Sequence, residues 1–129
     1  MGLRNTKKGQ IQRDSVFRAR PYHLPVHTAK THDDGSMTIV VNIPRPRWHR
    51  FLGAQELYVQ KAFELDNYGA EVYRACDGQR SVHRIIEDFS LDHKISLAEA
   101  EVSVTTFMKT LIQRHLIRVA LKPDEDSNA

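Results

Sequence analysis

The residue types best suited to metal binding or catalysis in this chain are its seven histidines and its single cysteine. His23 and His27 are four residues apart, which is the spacing of a two-histidine zinc pair on one face of a helix. Pro21 and Pro25 interrupt this segment, however, and proline prevents the helix that would bring the two rings together. The spacing therefore predicts no zinc pair here.

The other candidates for chemistry lie later in the chain. His83 and His93 have no cysteine or carboxylate arranged to complete a tetrahedral metal site. Cys76 falls at the predicted C-terminus of a helix, where the helix dipole raises the pKa of a thiol and so disfavours the nucleophilic thiolate. The chain also contains no G-x-S-x-G, no glycine-rich phosphate loop and no H-E-x-x-H. We therefore expect a non-enzymatic binding protein that uses neither a metal nor a cofactor.

Composition limits the size and the setting of this protein. Its 129 residues, 40% hydrophobic and 27% charged, are typical of one small folded domain and exclude two full domains. No apolar run approaches the ~20 residues that cross a bilayer, so we expect no membrane partner. A single cysteine excludes an internal disulfide, and the polar first residues lack the apolar region of a secretory signal. These features predict a cytoplasmic location.

The charge is divided unevenly along the chain. Residues 1–50 contain ten Lys or Arg and three Asp, whereas residues 51–129 contain nine basic and thirteen acidic residues. The pattern predicts a flexible basic arm at 1–25, a folded domain at 26–121 and an acidic tail at 122–129. The charges of the arm either keep a mobile terminus soluble or bind a polyanion. The second alternative follows because clustered Lys and Arg bind phosphates.

The first part of the folded domain has the pattern of a β-hairpin. A predicted strand at 27–32 and the β-branched run at 37–43 flank the turn signal Asp-Asp-Gly-Ser. Pro44 and Pro46 end the second strand, because proline cannot donate to a sheet ladder.

The segment that follows the hairpin is harder to assign. Trp48, Phe51 and Leu52 can form one turn of an amphipathic helix before Gly53 stops it. After this turn, the alternating residues 61–66 predict a third strand.

Three helices and a final strand are predicted for the rest of the chain. The first helix spans 67–76 and ends at a turn containing Gly78, Ser81 caps the second, and Ser96 with Glu99 forms a capping box for the third. The apolar residues at helical spacing are Val82, Ile85, Ile86 and Phe89 in the second helix and Ala100, Val104, Phe107 and Leu111 in the third. Residues 116–121 form the last predicted strand. This order predicts an α+β fold with the outline of a winged helix-turn-helix.

The centre of this region also resembles a known family. The run CDGQRSVHRII at 76–86, preceded by Phe-Glu-Leu-Asp at 63–66 and followed by Phe107, Leu111 and Leu116, resembles the PqqD-like family. The resemblance extends over about residues 61–119. Gly78, Ser81 and the apolar residues of the motif are structural, so the motif by itself predicts a fold and not a site.

The resemblance implies a peptide-binding function. Such proteins hold the leader segment of a ribosomally made precursor peptide and present it to a modifying enzyme, commonly a radical SAM protein. The leader adds as a strand to the third strand and lies in the groove beside the third helix, because an open sheet edge offers unpaired N–H and C=O groups. The implied site residues are Lys61, Ala62, Phe63, Glu64 and Leu65 on the strand and Thr105, Met108, Lys109 and Ile112 on the helix.

Individual roles can be assigned within this implied site. We expect Ala62, Phe63 and Glu64 to supply the backbone groups of the edge, and Lys109 to pair with acidic residues of the leader.

Two other function classes remain open from the sequence. A winged-helix protein can bind DNA, but the third helix begins Ser-Leu-Ala-Glu-Ala-Glu and has its first basic residue at Lys109, which disfavours docking against phosphates. The basic arm could still bind nucleic acid without sequence preference. The segment around Trp48 and Phe51 could instead hold a structural homodimer together.

Overall fold

The computed structural model of this protein describes residues 15–45, 47–53 and 58–120. Residues 15–18 are helical. The elements that follow are β1 (Arg20–His23), β2 (Thr28–Thr31), β3 (Met37–Pro44), a 3₁₀ turn (Arg47–Leu52), β4 (Tyr58–Leu65), α1 (Asn67–Ala75), α2 (Val82–His93), α3 (Leu97–Gln113) and β5 (Ile117–Ala120). The start of the expected basic arm, 1–14, and the expected acidic tail, 122–129, lie outside the described residues.

The chain divides into two units. The sheet unit comprises Pro25–Glu71, and the helical unit comprises the chain up to Leu24 together with the chain from Val72 onward. The helix α1 begins in the first unit and ends in the second.

The sheet unit is built on one antiparallel sheet with the order β2-β3-β4. The turn between β2 and β3 is closed by Asp34, whose carboxylate accepts hydrogen bonds from the backbone N–H and the hydroxyl of Ser36. Gly35 has a φ of 89° there, a conformation that other residues rarely adopt. The hairpin predicted from the sequence is therefore confirmed.

The two faces of this sheet differ in polarity because side chains alternate along each strand. Met37 and Ile39 of β3 are buried, as is Leu65 of β4, which is paired with Met37. The opposite face carries the pair formed by Thr38 and Glu64, in which the threonine hydroxyl donates to the carboxylate. One face of the sheet is thus apolar and buried at this end, and the other is polar.

The helical unit contains most of the buried apolar side chains. Ser81 caps α2 by accepting from the backbone N–H of Arg84, and Ser96 caps α3 by accepting from that of Glu99. Gly78 has a φ of 80° in the turn before α2. The buried apolar side chains that the two capped helices contribute are Val82, Ile85, Ile86 and Phe89 of α2 and Ala100, Val104, Met108 and Leu111 of α3.

A strand that the sequence pattern does not predict joins this unit. Strand β1 pairs antiparallel with β5, with His23 opposite Ile117. On its other side, the carbonyl of Pro21 accepts from the backbone N–H of Gly78 at 2.8 Å. Residues 20–23 of the expected arm are therefore paired with β5 along one side and held at Pro21 by one hydrogen bond on the other. The sequence pattern does not predict this strand for two reasons. Its four residues, one of them proline, are too few to show an alternating pattern, and the residues with which it pairs are distant in sequence.

The α+β class predicted from the sequence is confirmed, with most element boundaries within a residue or two. The third strand, β4, begins at Tyr58, three residues before the predicted start. In α3, Met108 is buried and Phe107 is half-buried, whereas the predicted stripe contained Phe107. The winged arrangement of these elements stays a prediction.

Candidate functional site

Strand β4 lies at an edge of its sheet. Its eight residues pair with β3 from Tyr58, opposite Pro44, to Leu65, opposite Met37. Within the described part of the chain, β3 is the only strand with which β4 pairs. One row of backbone N–H and C=O groups of β4 therefore has no strand partner among those residues.

The register identifies which residues of β4 face outward. The backbone N–H of His32 donates to the carbonyl of Ser36 on the β2 side, so Ser36 and every second residue after it in β3 face β2. The residues between them, including Ile39, face β4 and pair with Phe63 and its alternate neighbours. The outward backbone groups of β4 consequently belong to Tyr58, Gln60, Ala62 and Glu64.

This alternation changes one of the roles expected from the sequence. Ala62 and Glu64 face outward as expected, but the N–H of Phe63 faces Ile39 and belongs to the ladder with β3. The prediction that Phe63 supplies backbone groups of the open edge was therefore wrong. Tyr58 and Gln60 were missed because the alternation was traced only from Lys61, although it continues through the preceding residues YVQ.

The side chains of β4 leave this edge accessible over most of its length. Lys61, Ala62 and Glu64 are exposed, Phe63 is half-buried and Leu65 is buried. The ammonium group of Lys61 lies 5.2 Å from the centre of the Phe63 ring, a cation–π distance. A chain that pairs with β4 would meet small or polar side chains at Ala62 and Glu64, which do not obstruct it.

The four helix residues of the expected site lie on α3, in the helical unit. Lys109 is exposed and Ile112 is 42% exposed, so both can contact a ligand. The hydroxyl of Thr105 donates to the carbonyl of Glu101 within its own helix. Met108 is only 4% exposed and belongs to the core, so it offers no surface for a groove.

The histidines and the cysteine are placed in structural roles. His23 stacks on Tyr73 with ring centres 4.0 Å apart, and its Nε2 donates to the carbonyl of the same residue. His83 lies 3.0 Å from the Glu87 carboxylate on the surface of α2. Burial, assisted by the negative charge of Asp77, raises the pKa of the Cys76 thiol to about 12. This thiol is therefore protonated at neutral pH and is a poor nucleophile.

Two further observations concern metals and membranes. Among residues 15–45, 47–53 and 58–120, no group of three or more His, Cys, Asp or Glu side chains is arranged to hold a metal ion. None of the helices in those ranges has the length and apolar character needed to span a bilayer.

A comparison with protein families matches the core of this arrangement. The family model of Coenzyme PQQ synthesis protein D (PqqD) matches residues 40–117, which is more than half of the chain. The chain belongs to the PqqD family. The match begins within β3 and includes β4, all three helices and the first residue of β5, so it contains the open edge. No curated protein and no solved structure matches this PqqD-family chain.

Membership in the PqqD family gives this protein a general role. PqqD proteins are non-catalytic accessory proteins in the biosynthesis of PQQ or of other products made from ribosomal peptides. The family is associated with a precursor peptide and with a partner enzyme. The resemblance noted on the residues 76–86 is thereby confirmed.

Proposed function

We propose that this protein is a non-enzymatic adaptor that captures the leader segment of a precursor peptide and presents it to a modifying enzyme. The leader adds as a strand to the outward edge of β4. A radical SAM protein is the modifying enzyme that the resemblance favours. The observation that carries the proposal is the row of outward backbone groups at Tyr58, Gln60, Ala62 and Glu64, which lack a strand partner in the described chain.

The physical basis of capture is the unpaired edge itself. Backbone N–H and C=O groups are obligatory hydrogen-bonding groups, and an extended peptide satisfies them as well as a neighbouring strand does. Four outward residues in alternation give a peptide about eight residues of pairing, and the exposed side chains of β4 are left to select the side chains of the peptide. This explains how one surface can hold a peptide without catalytic residues.

The opposite edge of the sheet provides a comparison. Strand β2 is also an edge strand, but it has only four residues, and Pro25 precedes it closely. Longer pairing gives more hydrogen bonds and a larger side-chain surface. We therefore assign the peptide to β4.

Proline substitutions test this assignment, because proline removes one N–H and places a ring where the peptide backbone would lie. Ala62→Pro deletes an outward donor of β4 and leaves the ladder with β3 intact. Ala29→Pro is its matched control, because Ala29 faces outward on β2 and is exposed like Ala62.

The probe is a peptide selected from a displayed library of random peptides at least twice as long as β4. The library is selected on the full chain, and the strongest peptide is synthesised and titrated by fluorescence anisotropy. In Ala62→Pro the peptide loses one backbone hydrogen bond, and the proline ring keeps the peptide strand from approaching β4 closely. We therefore expect this variant to bind the peptide at least about tenfold more weakly. Ala29→Pro is expected to bind as the unsubstituted protein does.

Two outcomes would overturn the assignment to β4. Equal binding by both variants, with circular dichroism showing both folded, would exclude strand addition at β4. Weaker binding by Ala29→Pro alone would move the site to β2.

The helix residues form a separate hypothesis with its own test. Lys109→Ala and Ile112→Ala remove a charge and an exposed apolar side chain from α3. We expect each to weaken binding of the selected peptide by about two- to fivefold, as partly exposed contacts do. Thr106→Ala is the control, because Thr106 is an exposed residue of the same helix outside the expected set. An equal effect of all three variants would exclude a specific role for Lys109 and Ile112.

A further inference from the structure

One end of the sheet unit carries an exposed apolar and basic surface that the expected site does not include. Here we call it the basic aromatic patch. It lies where β3 ends and β4 begins, and its members are Ile43, Arg47, Trp48, Phe51, Val59 and Lys61.

The apolar part of the patch continues the buried face of the sheet. Ile43 and Val59 are paired across β3 and β4, and they share a face with Ile39, which is fully buried. Yet Ile43 is 41% and Val59 is 42% exposed. The apolar face of the sheet therefore extends past its core into solvent at this end.

The 3₁₀ turn adds aromatic surface at the same end. It connects β3 to β4, and it leaves Phe51 90% exposed and Trp48 58% exposed. Exposed large aromatic side chains close together in the chain are typical of recognition surfaces, because burying them removes much apolar area from water.

The charges of the patch are positive. Arg47 and Lys61 are exposed, and neither takes part in an ion pair among the described residues. Arg45, beside the patch, is half-buried, and its Nε has no hydrogen-bond partner within the same residues. The patch therefore presents positive charge to which a carboxylate of a ligand can bind.

The other end of the sheet has the opposite charge. Asp34 and Asp66 lie there with Glu64, and each carboxylate already accepts a hydrogen bond within the unit. A ligand along β4 therefore passes from an acidic end to a basic aromatic end. This polarity can fix the register and the direction of a bound strand.

We propose that the basic aromatic patch binds an acidic and aromatic segment of the leader peptide, immediately beyond the residues paired with β4. This inference rests on the proposed function, and it names the class of peptide that the protein selects. The segment is C-terminal to the paired residues if the leader runs antiparallel to β4, and N-terminal if it runs parallel.

Two other ligands fit the surface less well. A nucleic acid needs a continuous basic groove. Beyond Lys61, however, a nucleic acid that ran along β4 would meet the carboxylates of Glu64 and Asp66, which repel phosphates. A second copy of the chain, docked on the same patch around a two-fold axis, would bring like charges of Arg47 and Lys61 together.

The test extends the selected core peptide at either end by Glu-Phe-Glu, Lys-Phe-Lys or Gln-Ser-Gln. The acidic aromatic extension at one end is expected to tighten binding about tenfold, as one buried aromatic contact with charge pairing does. The basic and the neutral extensions, and every extension at the other end, are expected to add less than about twofold.

Variants of the protein assign that gain to the patch. Phe51→Ser is expected to abolish the gain, and Arg47→Gln to reduce it by about two- to fivefold. The matched controls are Leu91→Ser, an exposed apolar residue of α2, and Arg118→Gln, an exposed arginine of β5, which are expected to retain the gain.

The outcomes separate this inference from the function on which it rests. If the core peptide binds Ala62→Pro more weakly but no extension increases its affinity for the unsubstituted protein, the patch proposal is wrong and strand addition stands. If Ala62→Pro has no effect, strand addition itself is wrong. If Phe51→Ser changes the mass measured by light scattering from dimer to monomer and leaves the gain intact, the patch is an interface between copies and the proposal is overturned.

Discussion

The two units of this protein differ in what they do with their apolar side chains. Of nineteen buried apolar residues in the described chain, fifteen belong to the helical unit and four, Met37, Ile39, Leu65 and Ala70, to the sheet unit. The helical unit also caps α2 and α3 with Ser81 and Ser96. The sheet unit instead leaves an edge strand and an aromatic turn exposed. This contrast shows that most of the buried apolar core lies in one unit, while our proposal places peptide binding on the other.

The largest expected effect concerns the reactivity of Cys76 in the helical unit. Burial raises the pKa of its thiol to about 12, so alkylation of the folded protein should be at least about a thousandfold slower than for a free thiol. In Ala62→Cys, the new thiol on the exposed edge of β4 should react quickly. Mass spectrometry after iodoacetamide treatment, with and without urea, measures both. Rapid native alkylation of Cys76 would remove the contrast between the units.

The next effect is on global stability. Leu111 is 1% exposed, and Leu111→Ala should lower the free energy of unfolding by about 3 kcal/mol through lost burial and a cavity. Phe51→Ala in the sheet unit should change it by less than about 0.5 kcal/mol, because that ring is already in water. Leu91→Ala, at an exposed leucine, is the control within the helical unit. Urea unfolding followed by circular dichroism gives the three values, and similar losses for Leu111 and Phe51 would contradict the account.

A smaller effect is expected from helix capping. Ser81→Ala removes the acceptor for the Arg84 N–H and should destabilise the protein by about 1 kcal/mol. Ser81→Asp retains an acceptor and should restore most of that stability. The same unfolding experiment distinguishes the two variants. An equal loss of unfolding free energy in both would show that Ser81 does not stabilise the protein through the acceptor oxygen of its side chain.

The smallest effect depends on pH. Hydrogen bonds from the backbone N–H groups of Gln79 and Arg80 hold the pKa of Asp77 below its usual range. Because its pKa is lower in the folded state, Asp77 stabilises the fold above the unfolded pKa, and this contribution is lost as the pH falls through the folded pKa. Asp77→Asn should therefore reduce stability at neutral pH, and the difference from the unsubstituted protein should vanish in acid. A difference that stays constant down to low pH would contradict this.

The helical unit was well predicted from the sequence because its signals are local. Ser81, Gly78 and Ser96 each act on a neighbouring turn, and the apolar stripes repeat at the period of one helix. Strand β1 was missed because its structure depends on the distant β5 and on the turn at Gly78. Long-range pairing of a proline-containing segment leaves no periodic pattern to detect.

The candidate site was only partly predictable for a related reason. Alternation located a third strand, but the direction of each backbone group depends on the register between β3 and its two neighbours. That register reassigned the edge from Phe63 to Gln60 and Tyr58. Likewise, the helical period alone did not distinguish whether Phe107 or Met108 of α3 faces the core.

Amide hydrogen exchange, read residue by residue by NMR, tests the central claim most directly. In the free protein, the outward amides of Gln60, Ala62 and Glu64 should exchange rapidly, while those of Lys61 and Phe63 are protected by the ladder with β3. Saturation with the selected peptide should protect the three outward amides. Bound peptide that leaves these amides exchanging at their free rates, or amides already protected without peptide, would contradict strand addition at β4.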